Sequence, residues 1–130
     1  GERMLRALKR IYNLGIRPEW WKLAPLPAQD WAAIDVLIAE RDPYCRGVVL
    51  LGLNAPFAEL AEGFHAAAGS ASCRGFAVGR SLFLEPARAW LQGEIDDATL
   101  VTQAAQQFAE LAGLWRQARE AHARSDGVAA

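Results

Sequence analysis

Lys22 lies inside the apolar run Trp20-Trp21-Lys22-Leu23-Ala24-Pro25, introduced by Arg17-Pro18-Glu19. A short run rich in Trp and Leu and bounded by prolines reads as a buried strand. Alternation along a strand puts Trp20, Lys22 and Ala24 on one side and Trp21 and Leu23 on the other. An ammonium enclosed by tryptophans loses hydration, which favours the neutral amine. A neutral amine in an apolar pocket is the nucleophile that Schiff-base enzymes use. The competing role is a lysine at a strand end that snorkels to solvent or pairs with a carboxylate. A second cation, Arg80, closes the run Gly75-Phe76-Ala77-Val78-Gly79-Arg80. Its guanidinium is a fixed fork for phosphate, and its competing role is an ion pair at the sheet rim. Gly79, and Gly52 in Leu51-Gly52-Leu53-Asn54, open backbone N–H groups to a ligand, and such groups bind phosphate oxygens. Their competing role is packing space between helix and strand. The candidate catalytic residue is therefore Lys22, and the candidate phosphate- and substrate-binding residues are Gly52, Asn54, Gly79 and Arg80. Glu19 and Glu85 are the acids within reach of such a site, and Glu85 also suits the positive end of a helix dipole.

These groups need elements to hold them. A first helix carries Met4, Leu5, Leu8, Ile11 and Tyr12 at three-to-four spacing and ends at Asn13-Leu14-Gly15. A strand follows at about 19 to 24, then a helix capped by Asp30 with Trp31, Ile34, Leu37 and Ile38 inward. The continuous apolar run 47 to 53 reads as a parallel strand covered on both faces. Asn54-Ala55-Pro56 leads into a helix with Phe57, Leu60, Ala61 and Phe64 inward, and residues 69 to 72 form a loop. A third strand spans 75 to 79, with a continuation toward Phe83. Pro86 opens a short helix reaching Leu91. Asp96 or Asp97 caps a long last helix bearing Leu100, Val101, Ala104, Phe108, Leu111 and Trp115. Residues 1 to 124 form the folded part, and 125 to 130 a frayed tail. All five tryptophans are expected in the core.

Strands starting roughly 27 or 28 residues apart, each followed by a helix, form a parallel β/α repeat. Three such units leave open edges, and about eight close a barrel. The expected fold is α/β, the C-terminal three β/α units of a (β/α)8 barrel, with the chain a piece of a larger protein. Gly1 in place of an initiator and Met4 inside a helical pattern read the same way, or as a short tag remnant. In such proteins reactive groups sit at the carboxyl ends of the strands, where Lys22, Gly52, Asn54, Gly79 and Arg80 all fall.

Fourteen basic and fifteen acidic residues leave a formal charge of −1, which excludes an electrostatic case for nucleic acid or anionic membrane. No apolar stretch reaches the length of a membrane span, and no segment resembles a signal peptide. Cys45 and Cys73 have no CxxC spacing and read as buried free thiols of a cytoplasmic protein. His65 and His122 fall on helices, and no His, Cys and acid cluster has metal spacing, so neither metal nor cofactor is expected.

The motifs together support a resemblance. Gly75-Phe76-Ala77-Val78-Gly79-Arg80-Ser81-Leu82-Phe83, followed by Ala87-Arg88-Ala89-Trp90, resembles the last strand and helix of class I fructose-bisphosphate aldolases, where a Tyr-Gly-Arg-Ala turn holds a substrate phosphate. Trp21-Lys22-Leu23 is similar to the strand bearing the Schiff-base lysine in fructose- and tagatose-bisphosphate aldolases. Leu50-Leu51-Gly52-Leu53 is similar to the Leu-Ser-Gly-Gly strand between them. Residues 17 to 23, 47 to 56 and 75 to 80 further resemble the aldolase-like domain fused behind the sugar kinase in bacterial 5-dehydro-2-deoxygluconokinases of myo-inositol catabolism. That likeness spans about residues 4 to 120. It implies a lyase acting on a phosphorylated keto-sugar acid such as 5-dehydro-2-deoxygluconate 6-phosphate. The implied partners are the rest of the barrel, an N-terminal kinase domain or further copies. The alternative is a non-catalytic module that binds phosphosugars or holds kinase partners together. Leu51 stands where the family has serine, and the acids and second lysine of classical aldolases lie on earlier strands, outside the chain. No Gly-rich nucleotide loop is present for kinase chemistry.

Overall fold

Two short runs rich in apolar residues and the segment Cys73–Phe76 form strands, and the segments between them form helices. The computed structural model describes residues 1–52 and 54–128. In chain order the elements are α1 (Glu2–Asn13), β1 (Trp20–Leu23), α2 (Ala28–Arg41), β2 (Gly47–Leu50), α3 (Phe57–Ala67), β3 (Cys73–Phe76), α4 (Arg80–Leu91) and α5 (Asp97–Val128). The strands lie in the order β1-β2-β3, and both pairings are parallel. Lys22 stands opposite Val49 and Leu23 opposite Leu50. Val48 faces Cys73 whereas Val49 faces Gly75, so Arg74 is an extra residue that bulges β3.

All the helices serve one face of the sheet. Trp21 and Leu23 of β1, Val48 and Leu50 of β2 and Cys73 of β3 join one core with Leu8 and Tyr12, Trp31, Ile34, Leu37 and Ile38, and Leu60 and Phe64. Burial along β1 alternates strictly, with Trp20 and Lys22 exposed and Trp21 and Leu23 buried. Trp21 Nε1 donates to the Tyr12 hydroxyl at 2.8 Å, with the two rings edge to face, which fastens α1 to β1. On the far side Phe64 stacks on Phe76 and meets Trp115 edge-on, locking α3, β3 and α5 together. Sequential strand order with crossovers of one hand sends successive helices to the same face, which accounts for the one-sided core. The opposite face presents Trp20, Lys22, Val49, Arg74 and Gly75 without a covering layer among the described residues.

The elements match the sequence expectations in order and type, with shifts at their ends. β2 stops at Leu50 rather than running to 53, and Leu53 lies outside the described residues. β3 comes two residues early, and 80 to 83 is helical, because the Gly79 carbonyl accepts from the Leu82 and Phe83 amides and nucleates α4 there. Pro86 is consequently inside α4 rather than at its start, and its ring is buried. Asp30 does not cap α2, which begins at Ala28 after Pro27; it lies in the first turn, where its charge suits the dipole. Asp96 does cap α5, accepting from the Thr99 amide at 2.8 Å, and hydrogen bonding from Thr99, side chain first and then amide, holds its carboxyl below its ordinary value. The expected frayed tail is helical through Val128.

The tryptophans divide. Trp21 and Trp31 are core residues, but Trp20 is 46% exposed on the open face and Trp90 is 42% exposed, donating to Asp97. Both cysteines are free thiols; Cys73 is buried and Cys45 only half-buried. Among the described residues no helix is long and apolar enough to cross a membrane, and no cluster of His, Cys and acids could hold a metal.

Candidate functional site

The carboxyl ends of the strands frame a cleft of about 410 Å³. Lys22 enters from β1, Gly52 and Asn54 from the β2–α3 connection, and Gly79 and Arg80 from the start of α4, so all five candidate residues line it. Ser81 lines it as well.

Its walls carry two cations, Lys22 and Arg80, and no carboxylate. Neither cation forms an ion pair with a described residue. The helix dipole of α4 adds partial positive charge at the same place. The first bonds of α4 run from the Leu82 amide at 2.8 Å and the Phe83 amide at 3.3 Å to the Gly79 carbonyl. The Arg80 and Ser81 amides precede that ladder, as the first N–H groups of any helix do. Two free-standing cations, free amides and no acid make the cleft an attractor for anions.

The two glycines act differently. A Cβ on Gly52 would lie 2.9 Å from Val78 Cγ1 and 3.3 Å from Ser81 Oγ, so Gly52 lets the β3–α4 connection close onto the end of β2. It shapes the cleft wall rather than offering itself to a ligand. Gly79 is exposed at the N-terminus of α4. Asn54 has φ 62°, the left-handed region that asparagine tolerates better than most residues. It sits in a turn closed by the Ala55 amide donating to the Gly52 carbonyl at 2.7 Å.

Lys22 is not enclosed by tryptophans. Trp21 points to the opposite face, Trp20 is half exposed beside it, and Lys22 itself is exposed. The enclosure expected from the sequence is thus absent, because the apolar run is buried on one face only. The acids fall elsewhere. Glu19 pairs with Arg46 at 3.3 Å, before the start of β1, at the other end of the sheet. Glu85 pairs with Arg88 at 2.8 Å along α4. Ser81 is the residue that sequence reasoning passed over: its Oγ is buried without a hydrogen-bond partner. A hydroxyl in the first turn of a helix after Gly-Arg was the available signal.

A larger groove of about 790 Å³ adjoins the cleft through Gly52 and Asn54, but its charged residues are Glu59 and Glu62 and it contains no cation. The histidines lie apart from both. His65 and His122 border a separate cleft of about 260 Å³ beside Trp31, where His122 meets Asp126 at 3.1 Å.

Fold and cleft define an α/β protein whose parallel sheet presents a cleft lined by two cations at its carboxyl end. Residues 1–119 match the model of a family described as an uncharacterized protein conserved in bacteria (DUF2090), and the chain belongs to that family. No curated protein and no solved structure matches it.

Proposed function

We propose that the cleft binds the phosphate of a phosphorylated keto-sugar acid and that Lys22 forms a Schiff base with its carbonyl. On this reading the chain is the C-terminal three β/α units of an aldolase-like (β/α)8 barrel in a bifunctional sugar kinase and aldolase-like protein of myo-inositol catabolism. The substrate class is that of 5-dehydro-2-deoxygluconate 6-phosphate. The observation that carries the reading is the convergence of Lys22 and Arg80 on one acid-free cleft at the strand ends. The one-sided core supports the barrel, since a parallel sheet is ordinarily covered on both faces.

The chemistry needs the neutral amine. Its lone pair attacks the ketone carbon, a general acid on the completing strands protonates the departing hydroxyl, and water leaves, giving a protonated imine. The carbon–carbon bond then breaks as its electron pair flows into that imine to form an enamine. The hydroxyl on the departing carbon gives its proton to a base and becomes the carbonyl of a semialdehyde. Hydrolysis of the enamine frees a three-carbon ketose phosphate and the lysine. This cleft holds no carboxylate for the base. The base, and the apolar cover that would favour the neutral amine, fall to the strands that complete the barrel.

The missing acid favours a second reading, in which the module binds a phosphosugar without cleaving it, or holds kinase partners together. Borohydride reduction in the presence of a three-carbon ketose phosphate separates the two. An imine-forming Lys22 becomes covalently labelled, whereas a binding module stays unmodified.

A further inference from the structure

Ser81 is unexplained by packing alone. Its hydroxyl is buried without a partner, at the second residue of a twelve-residue helix. Burying a hydroxyl unpaired is unfavourable, so a serine kept only to fill this space is a poor solution compared with alanine. The hydroxyl has room because Gly52 lacks a Cβ: that atom would stand 3.3 Å from Ser81 Oγ. Ser81 also lines both the acid-free cationic cleft and a neighbouring cleft of about 240 Å³ that it shares with Asn54, Arg80 and Glu85. One χ1 rotation moves a serine hydroxyl between staggered positions, so its reach is not confined to the Gly52 side.

We propose that the Ser81 hydroxyl is a phosphate ligand and biases the cleft toward a tetrahedral phosphate monoester over a planar carboxylate. The proposal rests on the phosphate-binding reading above and adds to it a specificity-determining residue. The chemistry is a count of donors. The Arg80 guanidinium and the Arg80 and Ser81 amides saturate the two oxygens of a carboxylate. A phosphate monoester has a third terminal oxygen, and the hydroxyl supplies a donor for it.

The test titrates the chain with methyl phosphate and, separately, with acetate, by calorimetry and by thermal unfolding. The wild-type chain and the variants Ser81→Ala and Arg80→Ala are compared. Ser81→Ala is expected to weaken methyl phosphate binding about tenfold, as for a lost hydrogen bond to a charged group, and to leave acetate affinity within about twofold. Without ligand its unfolding temperature is expected to equal or exceed that of the wild type, because the variant removes an orphan hydroxyl. A structural serine gives the opposite pair: lower intrinsic stability and unchanged phosphate affinity. Equal loss for both ligands also overturns the proposal, since it removes the selectivity. If Ser81→Ala is silent while Arg80→Ala abolishes binding, the phosphate reading stands and the role of Ser81 falls. If the wild-type chain binds neither ligand, both fall together.

Discussion

At Lys22, side-chain alternation was legible in the sequence but the direction of burial was not. The pattern of Trp20, Trp21, Lys22 and Leu23 placed Lys22 opposite Trp21 correctly. Which side meets helices depends on the strand order, which a single apolar run does not encode. Asn54 offers a sharper residue-scale test. Its φ of 62° is strain that glycine relieves and a β-branched residue aggravates. Asn54→Gly is expected to keep stability within about 0.5 kcal/mol, and Asn54→Val to cost about 1–3 kcal/mol in urea unfolding. Equal stability of the two variants would show that the turn is not held in this conformation. Gly52→Ala is expected to cost about 1–3 kcal/mol, because the new methyl meets Val78 and Ser81 and overpacks the wall.

Among the elements, the helices were easier to place than the ends of the strands. Heptad-like spacing located α1, α2 and α3, whereas β3 was displaced by a bulge at Arg74 that no residue type announces. The helix start at Arg80 was hidden because Pro86 is a stronger local signal than Gly79. What holds β3 in place is a loop contact. The Asp35 carboxylate on α2 accepts from the Ala71 amide at 2.9 Å, the Ser72 amide at 3.0 Å and both the Ser70 and Ser72 hydroxyls. Asp35→Ala strands four donors and is expected to cost about 2–4 kcal/mol by chemical denaturation. A loss under 1 kcal/mol would mean that the loop carries itself.

The start of β3 also sets a pH limit. Burial pushes the Cys73 thiol from its ordinary 9.0 up to about 11, and burial raises Tyr12 and Cys45 in the same direction. A folded-state value above the unfolded one means the unfolded chain gives up its proton first as pH rises. The contribution is complete below pH 9 and is lost between 9 and about 11. Stability is expected to fall across that window, by up to about 2 kcal/mol from Cys73, and Cys73→Ala should flatten the decline. An identical alkaline profile in the variant would assign the fall to other groups.

For the whole molecule, strand starts at residues 20, 47 and 73 reproduce the repeat read from the sequence, and strand order 1-2-3 agrees with consecutive β/α units. The closure of a barrel is not something three strands can express, so the uncovered face was not visible in any single motif. That face exposes Trp20 and flanks it with unpaired edges at β1 and β3, among the described residues. Open parallel edges and an uncovered face favour association. The chain by itself is expected to self-associate, with apparent mass in light scattering rising with concentration. A monomer at every concentration would count against an obligate covering layer.

Lys22 and Arg80 are proposed to act on one phosphorylated carbonyl compound. This is checked by borohydride trapping with a three-carbon ketose phosphate, read by peptide mass spectrometry, in protein that includes the further strands of the proposed barrel. One reduced adduct is expected, on Lys22, absent in Lys22→Met and formed at least about tenfold less efficiently in Arg80→Ala. Phosphate binding with no adduct at Lys22, or an adduct that survives Lys22→Met, would contradict it.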